Sequence, residues 1–300
     1  MLAVTAIFLP EVNDVLTTIA FLLITVVPTQ TCRCNECRVA ATESAKRQPT
    51  NQSLLTKSQT QNFDVYSYNS SWPAMDVAKL AEERRTAIYD HWRGSVAPDE
   101  WDPKCVLILH LSRQSYITAV GRGSERTLGS SLLNVQQGVC RARRIDLLTD
   151  SNNRMTSLGH ELTHVVISDI FQGQHLPRWL DEGIAILADS HDKQLRHADD
   201  WKQANAQGTA YSLARLVATE AYPSPAQFPA FYGGSASLTA LLARRGDSTK
   251  LLKFAELSQK LGYDKALRNV YEIDGLVELD RIWRMSEENV AYSLAQGEEP

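Results

Sequence analysis

The stretch from Met155 to Ile170 constrains the chain more than any other. Met155, Leu158, Leu162, Val165, Val166 and Ile170 recur at helical spacing, which predicts a strongly apolar helix with Ser151 or Asn152 as its N-cap. Set into that helix are His160, Glu161 and His164, in the order H-E-x-x-H. The two histidines sit one turn apart and only about 40° apart around the axis, so both imidazoles reach a single ion from one face. Glu161 is turned about 100° from His160, which suits it to hold a water beside such an ion rather than to ligate it. Burying two imidazoles and a carboxylate in an apolar helix costs several kcal/mol unless something compensates them, and a divalent cation does so. A chance match in a chain of this length is on the order of one in a hundred. The motif therefore calls for a third ligand.

Gly173 and Pro177 end the helix, and a second one starts near Pro177, reading Arg178-Trp179-Leu180-Asp181-Glu182-Gly183-Ile184-Ala185. Helices joined by a short loop lie side by side, which brings Glu182 back towards the histidines. Gly183 and Ala185 let the two backbones approach. A glycine inside a helix is unfavourable by about 1 kcal/mol relative to alanine, so its place beside the carboxylate implies a packing role. Other candidate ligands are Asp169, His175, Asp189 and His191. Asp169 points elsewhere on the first helix, and His175 sits in the loop as a surface or substrate-contact residue. Asp189, seven residues after Glu182, shares its face and can hydrogen-bond a ligating histidine.

His160 to His164 followed by Leu176-Pro177-Arg178-Trp179-Leu180-Asp181-Glu182-Gly183 resembles the gluzincin class of zinc metallopeptidases, specifically the peptidase MA-like proteins with an H-E-x-x-H helix and a W-x-x-E-G helix. The longer metzincin signature is absent, because Ile167 and Ile170 stand where its glycine and third histidine would be. The resemblance implies that the third ligand is Glu182 and that the fold is α+β and zincin-like, a small sheet with an active-site helix followed by a mostly helical C-terminal half. Phe231-Tyr232-Gly233-Gly234-Ser235, then Gly262-Tyr263-Asp264 and an amphipathic end through Trp283, resemble that helical half. The implied function is zinc-dependent hydrolysis of peptide bonds in a peptide or protein substrate, by a zinc-activated water with Glu161 as general base. Tyr232 is the candidate donor to the carbonyl oxygen; its other reading is a core aromatic at the start of a helix. The strand Arg144 to Leu148 is expected to offer its edge to an extended substrate. The alternative function is a catalytically inactive metal-binding or interaction protein on the same scaffold.

With 300 residues, 43% of them hydrophobic, the chain can bury a full core, and a net charge of −4 gives no reason to expect a nucleic-acid partner. Four segments are expected: residues 1–30 as signal peptide or membrane anchor, 31–61 as polar linker, 62–290 as the folded domain and 291–300 as a tail. Val15 to Val27 is apolar apart from three threonines, yet at thirteen residues it falls short of the roughly 20 needed to span a bilayer. No Lys or Arg precedes it, whereas Arg33, Arg38, Lys46 and Arg47 follow, the reverse of a secretory signal. Signal peptide, anchor through residues 15–27, misplaced start codon and buried helix all stay open; the localisation expected is secreted or membrane-anchored and extracytoplasmic. Cys32, Cys34 and Cys37 can bind a metal or carry acyl groups. Cys105 and Cys140 either pair across a sheet or serve as small buried hydrophobes, and sequons stand at Asn51 and Asn69. Strands are expected at Phe63–Tyr68, Cys105–Leu111 and Arg144–Leu148, with Arg141, Arg143 and Arg144 as a solvated strand edge. The Gly- and Ser-rich stretch Gly121–Ser131 is either a surface loop or a flexible rim over a cleft. From Ser151 onward the pattern is helical, broken at Gly173, Pro177, Pro223 to Pro229, Gly246 and Gly262.

Overall fold

A computed structural model describes residues 55–94 and 100–296, with side chains through Ser286. The apolar segment 15–27, the cysteines at 32, 34 and 37 and the sequon at Asn51 lie outside the described residues. Strands alternate with helices in the first half: β1 (Thr56–Gln59), β2 (Phe63–Ser67), α1 (Ala74–Arg93), β3 (Cys105–His110), α2 (Arg113–Val120), β4 (Gly129–Gln136) and β5 (Val139–Leu148). Helices alone follow: α3 (Leu158–Ile170), α4 (Arg178–Leu187), α5 (His191–Ala206), α6 (Leu213–Val217), a 3-10 turn (Pro225–Gln227), α7 (Phe228–Arg244), α8 (Ser248–Leu261), α9 (Tyr263–Tyr271) and α10 (Gly275–Gln296). The architecture is thus α+β, a small sheet followed by a mostly helical half. Among the described residues no helix is long and apolar enough to cross a membrane.

The sheet runs in the order β1-β2-β3-β5-β4. Its three central strands are parallel, and β1 and β4 close the edges antiparallel. Alternation fixes which face is inward: Phe63, Val65 and Ser67 on β2, and Cys105, Leu107 and Leu109 on β3, are buried. Each large apolar side chain so buried contributes about 1.5–3 kcal/mol. Helix α1 presents Val77, Ala81, Ile88 and Trp92 to the same core and ends at Gly94, which takes the left-handed conformation with φ 60°. It packs on β1 and β2 and, farther along, on α3.

Several sequence expectations need correction. The folded part starts before residue 62, because Thr56–Gln59, inside the stretch read as linker, forms the edge strand β1. Only one side of an edge strand packs, so Thr, Lys, Ser and Gln are tolerated there and composition conceals it. At the other end α10 continues to Gln296, through residues read as a tail. Helix α3 starts at Leu158 rather than after Ser151. The carboxylate of Asp150 accepts from the backbone of Asn152 and Arg154, both at 2.9 Å, and this local turn outcompetes the helix. Met155 therefore precedes the helix, though it still packs on the core.

The arginine run is not a solvated edge throughout. Arg143 is 5% exposed; its guanidinium donates to Asp169 at 2.8 Å and to the Pro103 carbonyl at 2.7 Å, and lies over the Trp101 ring. Arg144 pairs with Asp146 at 2.7 Å. Cys105 and Cys140 are free thiols: Cys105 stands opposite Arg143 in the ladder, three residues from Cys140, so the two do not meet. Burial raises the Cys105 pKa, as befits a small core residue. The side-chain amide of Asn69 donates to Asn153 at 2.8 Å, so a glycan on that sequon would displace a contact of the fold.

In the helical half the expected breaks at Gly173, Pro177, Gly246 and Gly262 fall between elements, whereas in the stretch Pro223 to Pro229 Pro225 opens the 3-10 turn and Pro229 lies in the first turn of α7; further breaks occur at Asp189, residues 207–212 and Glu272. Helix α7 packs against both α4 and α5. The packing role expected of Gly183 is plain: a Cβ there would stand 2.0 Å from Thr239 Oγ1 and 2.7 Å from the Ser235 carbonyl of α7. Glycine lets α4 and α7 touch backbone to backbone, which fixes the height of its neighbour Glu182.

Candidate metal centre

Helix α3 carries His160 and His164 on one face, and α4 lies beside it with Glu182 turned towards them. The Nε2 atoms of the two histidines are 3.3 Å apart. Glu182 Oε2 stands 3.6 Å from His160 Nε2 and 3.8 Å from His164 Nε2. Tetrahedral ligands at about 2.0–2.2 Å from a zinc ion stand roughly 3.3–3.6 Å apart, so the triangle has the size of one face of such a coordination shell.

Hydrogen bonding on the far side of each ring sharpens this. His160 Nδ1 faces Asp189 Oδ2 at 3.1 Å, and His164 Nδ1 faces Asp181 Oδ1 at 3.2 Å. A carboxylate can only accept, so each Nδ1 carries the hydrogen and a neutral ring then aims its Nε2 lone pair at the other ring. In the neutral state of both rings, two lone pairs and a carboxylate oxygen converge with no donor of their own among them. Burial opposes charge on His160, but Asp189 and Glu182 outweigh it and push its pKa up to about 10. His164 is likewise desolvated, yet Asp181 and Glu182 push it up to about 9. Burial would raise Glu182, but the two histidines hold it down at about 2. The cluster is built to attract positive charge, and protons compete with a metal ion for the same lone pairs.

Glu161, next along α3, is 7% exposed and ligates nothing in this triangle. It is wedged under the start of β4. A Cβ on Gly129 would lie 2.6 Å from both Cγ and Oε1 of Glu161, so only glycine leaves room for the carboxylate. The strand read as a substrate edge, Arg144–Leu148, belongs to β5, whose two sides are both paired, to β3 and to β4. The free edge next to the centre is that of β4.

The site opens into a cleft of about 1910 Å³, larger than the roughly 300–1,000 Å³ typical of small-molecule pockets. One wall is β4 with Arg122–Leu128 before it, so the Gly- and Ser-rich stretch is a wall of the cleft passing into a strand. Tyr232, half-buried at the start of α7, also lines it, in ring contact with Phe228, Phe231 and His197. Burial and the charges of Glu182 and Glu161 raise its pKa, keeping the hydroxyl protonated. His175 lines the cleft exposed, His191 is exposed at the start of α5, and Asp169 is tied to Arg143 and Tyr89 away from the triangle.

Asp189 was legible as a histidine partner; Asp181 was not, although it adjoins Glu182. Tyr222 was missed entirely. Its hydroxyl donates to Glu182 Oε1 at 2.6 Å from a coil segment forty residues away in sequence. His197 was also missed; its buried Nδ1 has no hydrogen-bond partner among the described residues, and burial lowers its pKa. A scan of the chain against models of known protein families finds no match, and a search of curated proteins finds none.

Proposed function

We propose that the chain is a zinc-dependent metallopeptidase of the gluzincin, peptidase MA-like type, on a zincin-like scaffold. The observation that carries the reading is the donor set: three acceptor atoms, 3.3–3.8 Å apart, with a buried glutamate, Glu161, on the helix that bears the two histidines. Two imidazoles and one carboxylate suit zinc among the common divalent ions. His160, His164 and Glu182 would hold the ion, which supplies Lewis-acid activation of a water and of a peptide carbonyl.

The remaining steps belong to the chain's own residues. Glu161, pinned against Gly129, accepts a proton from the attacking water and passes it to the departing amine. The Tyr232 hydroxyl donates to the carbonyl oxygen as negative charge develops there. An extended peptide runs along the free edge of β4, whose unpaired backbone groups hold it by strand addition. An N-terminal signal or anchor makes the enzyme secreted or membrane-attached.

The test uses the full chain against an unfolded protein. Cleavage that stops with a chelator, returns with zinc and is lost in Glu161→Gln supports the reading. Cleavage unchanged in Glu161→Gln refutes the mechanism, and zinc bound without any turnover points instead to an inactive metal-binding protein.

A further inference from the structure

Tyr222 lies in the coil between α6 and the 3-10 turn and is gripped by α4 at two places one helical turn apart. Its hydroxyl donates to Glu182 Oε1 at 2.6 Å, while the guanidinium of Arg178, four residues before Glu182, covers its ring at 4.1 Å from the centroid. Arg178 in turn donates to the Glu220 carbonyl at 3.4 Å, fastening the same coil segment. Tyr222 is 51% exposed, so apolar burial gives little reason for it to lie where it does. What its position achieves is chemical. Glu182 has two oxygens, and the one that stands 3.6 and 3.8 Å from the histidine nitrogens is Oε2, not the one Tyr222 holds.

We infer that Tyr222 is a positioning residue for Glu182: by occupying Oε1 it fixes the carboxylate's rotation and leaves Oε2 as its single metal-binding atom. This rests on the proposal that the triangle binds a divalent ion. A carboxylate free to turn presents either oxygen, or both, and loses the preorganisation that a ligand's outer partners supply. Arg178 restrains the ring, so the pair transmits the position of the 218–224 segment to the ligand.

The experiment compares the full-length wild type with Tyr222→Phe, which keeps the ring and its stacking on Arg178 and removes only the hydroxyl. Affinity for Zn2+ is measured by chelator competition, and the visible spectrum is recorded for the Co2+ form. Loss of about 10–100-fold in affinity with an altered cobalt spectrum, at unchanged far-UV circular dichroism and unchanged unfolding temperature of the metal-free protein, is expected. An unchanged affinity and spectrum in Tyr222→Phe overturns the inference while leaving the metal site standing, even if catalysis suffers, since Tyr222 would then act on substrate. A wild type that binds neither ion overturns the metal reading and the inference together, and the two failures are told apart by the wild-type arm alone.

Discussion

Helix α3 has a cluster of buried charge near each end, and the two are built on opposite principles. At its C-terminal end Asp169 accepts from Arg143 at 2.8 Å and from the Tyr89 hydroxyl, while Arg143 also serves the Pro103 carbonyl and stacks on Trp101. There cation meets anion and donors meet acceptors, though Arg143 Nε has no hydrogen-bond partner among the described residues. Near the N-terminal end, His160, His164 and Glu182 turn acceptors towards one another, with Asp181 and Asp189 consuming the ring hydrogens behind them. The first cluster closes on itself and holds the sheet to the helix. The second leaves its acceptors facing one another, an imbalance that a bound cation would close.

The contrast has its largest consequence in paired substitutions. Glu182→Ala should abolish high-affinity zinc binding, whereas Asp169→Asn should leave zinc affinity intact and cost about 2–4 kcal/mol of stability by stranding a buried arginine. Chelator competition and denaturant unfolding on both variants measure this; loss of zinc binding in Asp169→Asn would erase the distinction. Next in size is Gly129→Ala. The added methyl must push Glu161 aside, and a displacement of about 1 Å at a catalytic group can lower the rate roughly 100-fold. kcat should fall with zinc content unchanged; an unaltered kcat would mean that the carboxylate is not held there.

Asp189→Asn should weaken zinc binding by about 10-fold, since the amide can still orient His160 but no longer strengthens it as a ligand. Equal affinity in that variant would show the hydrogen bond to be incidental. The smallest effect concerns pH and a third polar group, Asp146. Burial would raise its pKa, but hydrogen bonds from His110 and Arg144 hold it below the usual carboxylate value. A depressed carboxylate contributes stability that is present above its unfolded pKa of about 3.9 and lost as pH falls through the lower folded value. Asp146→Asn should therefore flatten the acid limb of the stability curve; an unchanged limb would assign acid sensitivity elsewhere.

What could be read from sequence follows the periodicity of the elements. His160, His164 and Glu161 are related by one helix, so spacing alone places them. Glu182 follows from a helix break, a close-packing glycine and the family resemblance; Asp189 is read as sharing its face on one helix, but α4 ends at Leu187 and Asp189 meets His160 from the break that follows. Asp181 lies on the same helix, but a wheel cannot say which of two adjacent acids faces a ligand and which faces the ligand's back. Tyr222 and Gly129 reach the site through coil and strand, where no period links them to α3. Strand β1 was hidden by polar composition, and the start of α3 by the Asp150 turn. Arg143 was misread because charge suggests solvent unless its partners are known, and those lie on other elements.

The two-cluster comparison is tested most directly by counting metal. Native mass spectrometry of the full chain, purified in the presence of zinc and then desalted, should find one zinc ion per molecule in the wild type and in Asp169→Asn, and none when His160 and His164 are both alanine. Zinc retained in the doubly substituted protein, or absent from the wild type, would contradict it.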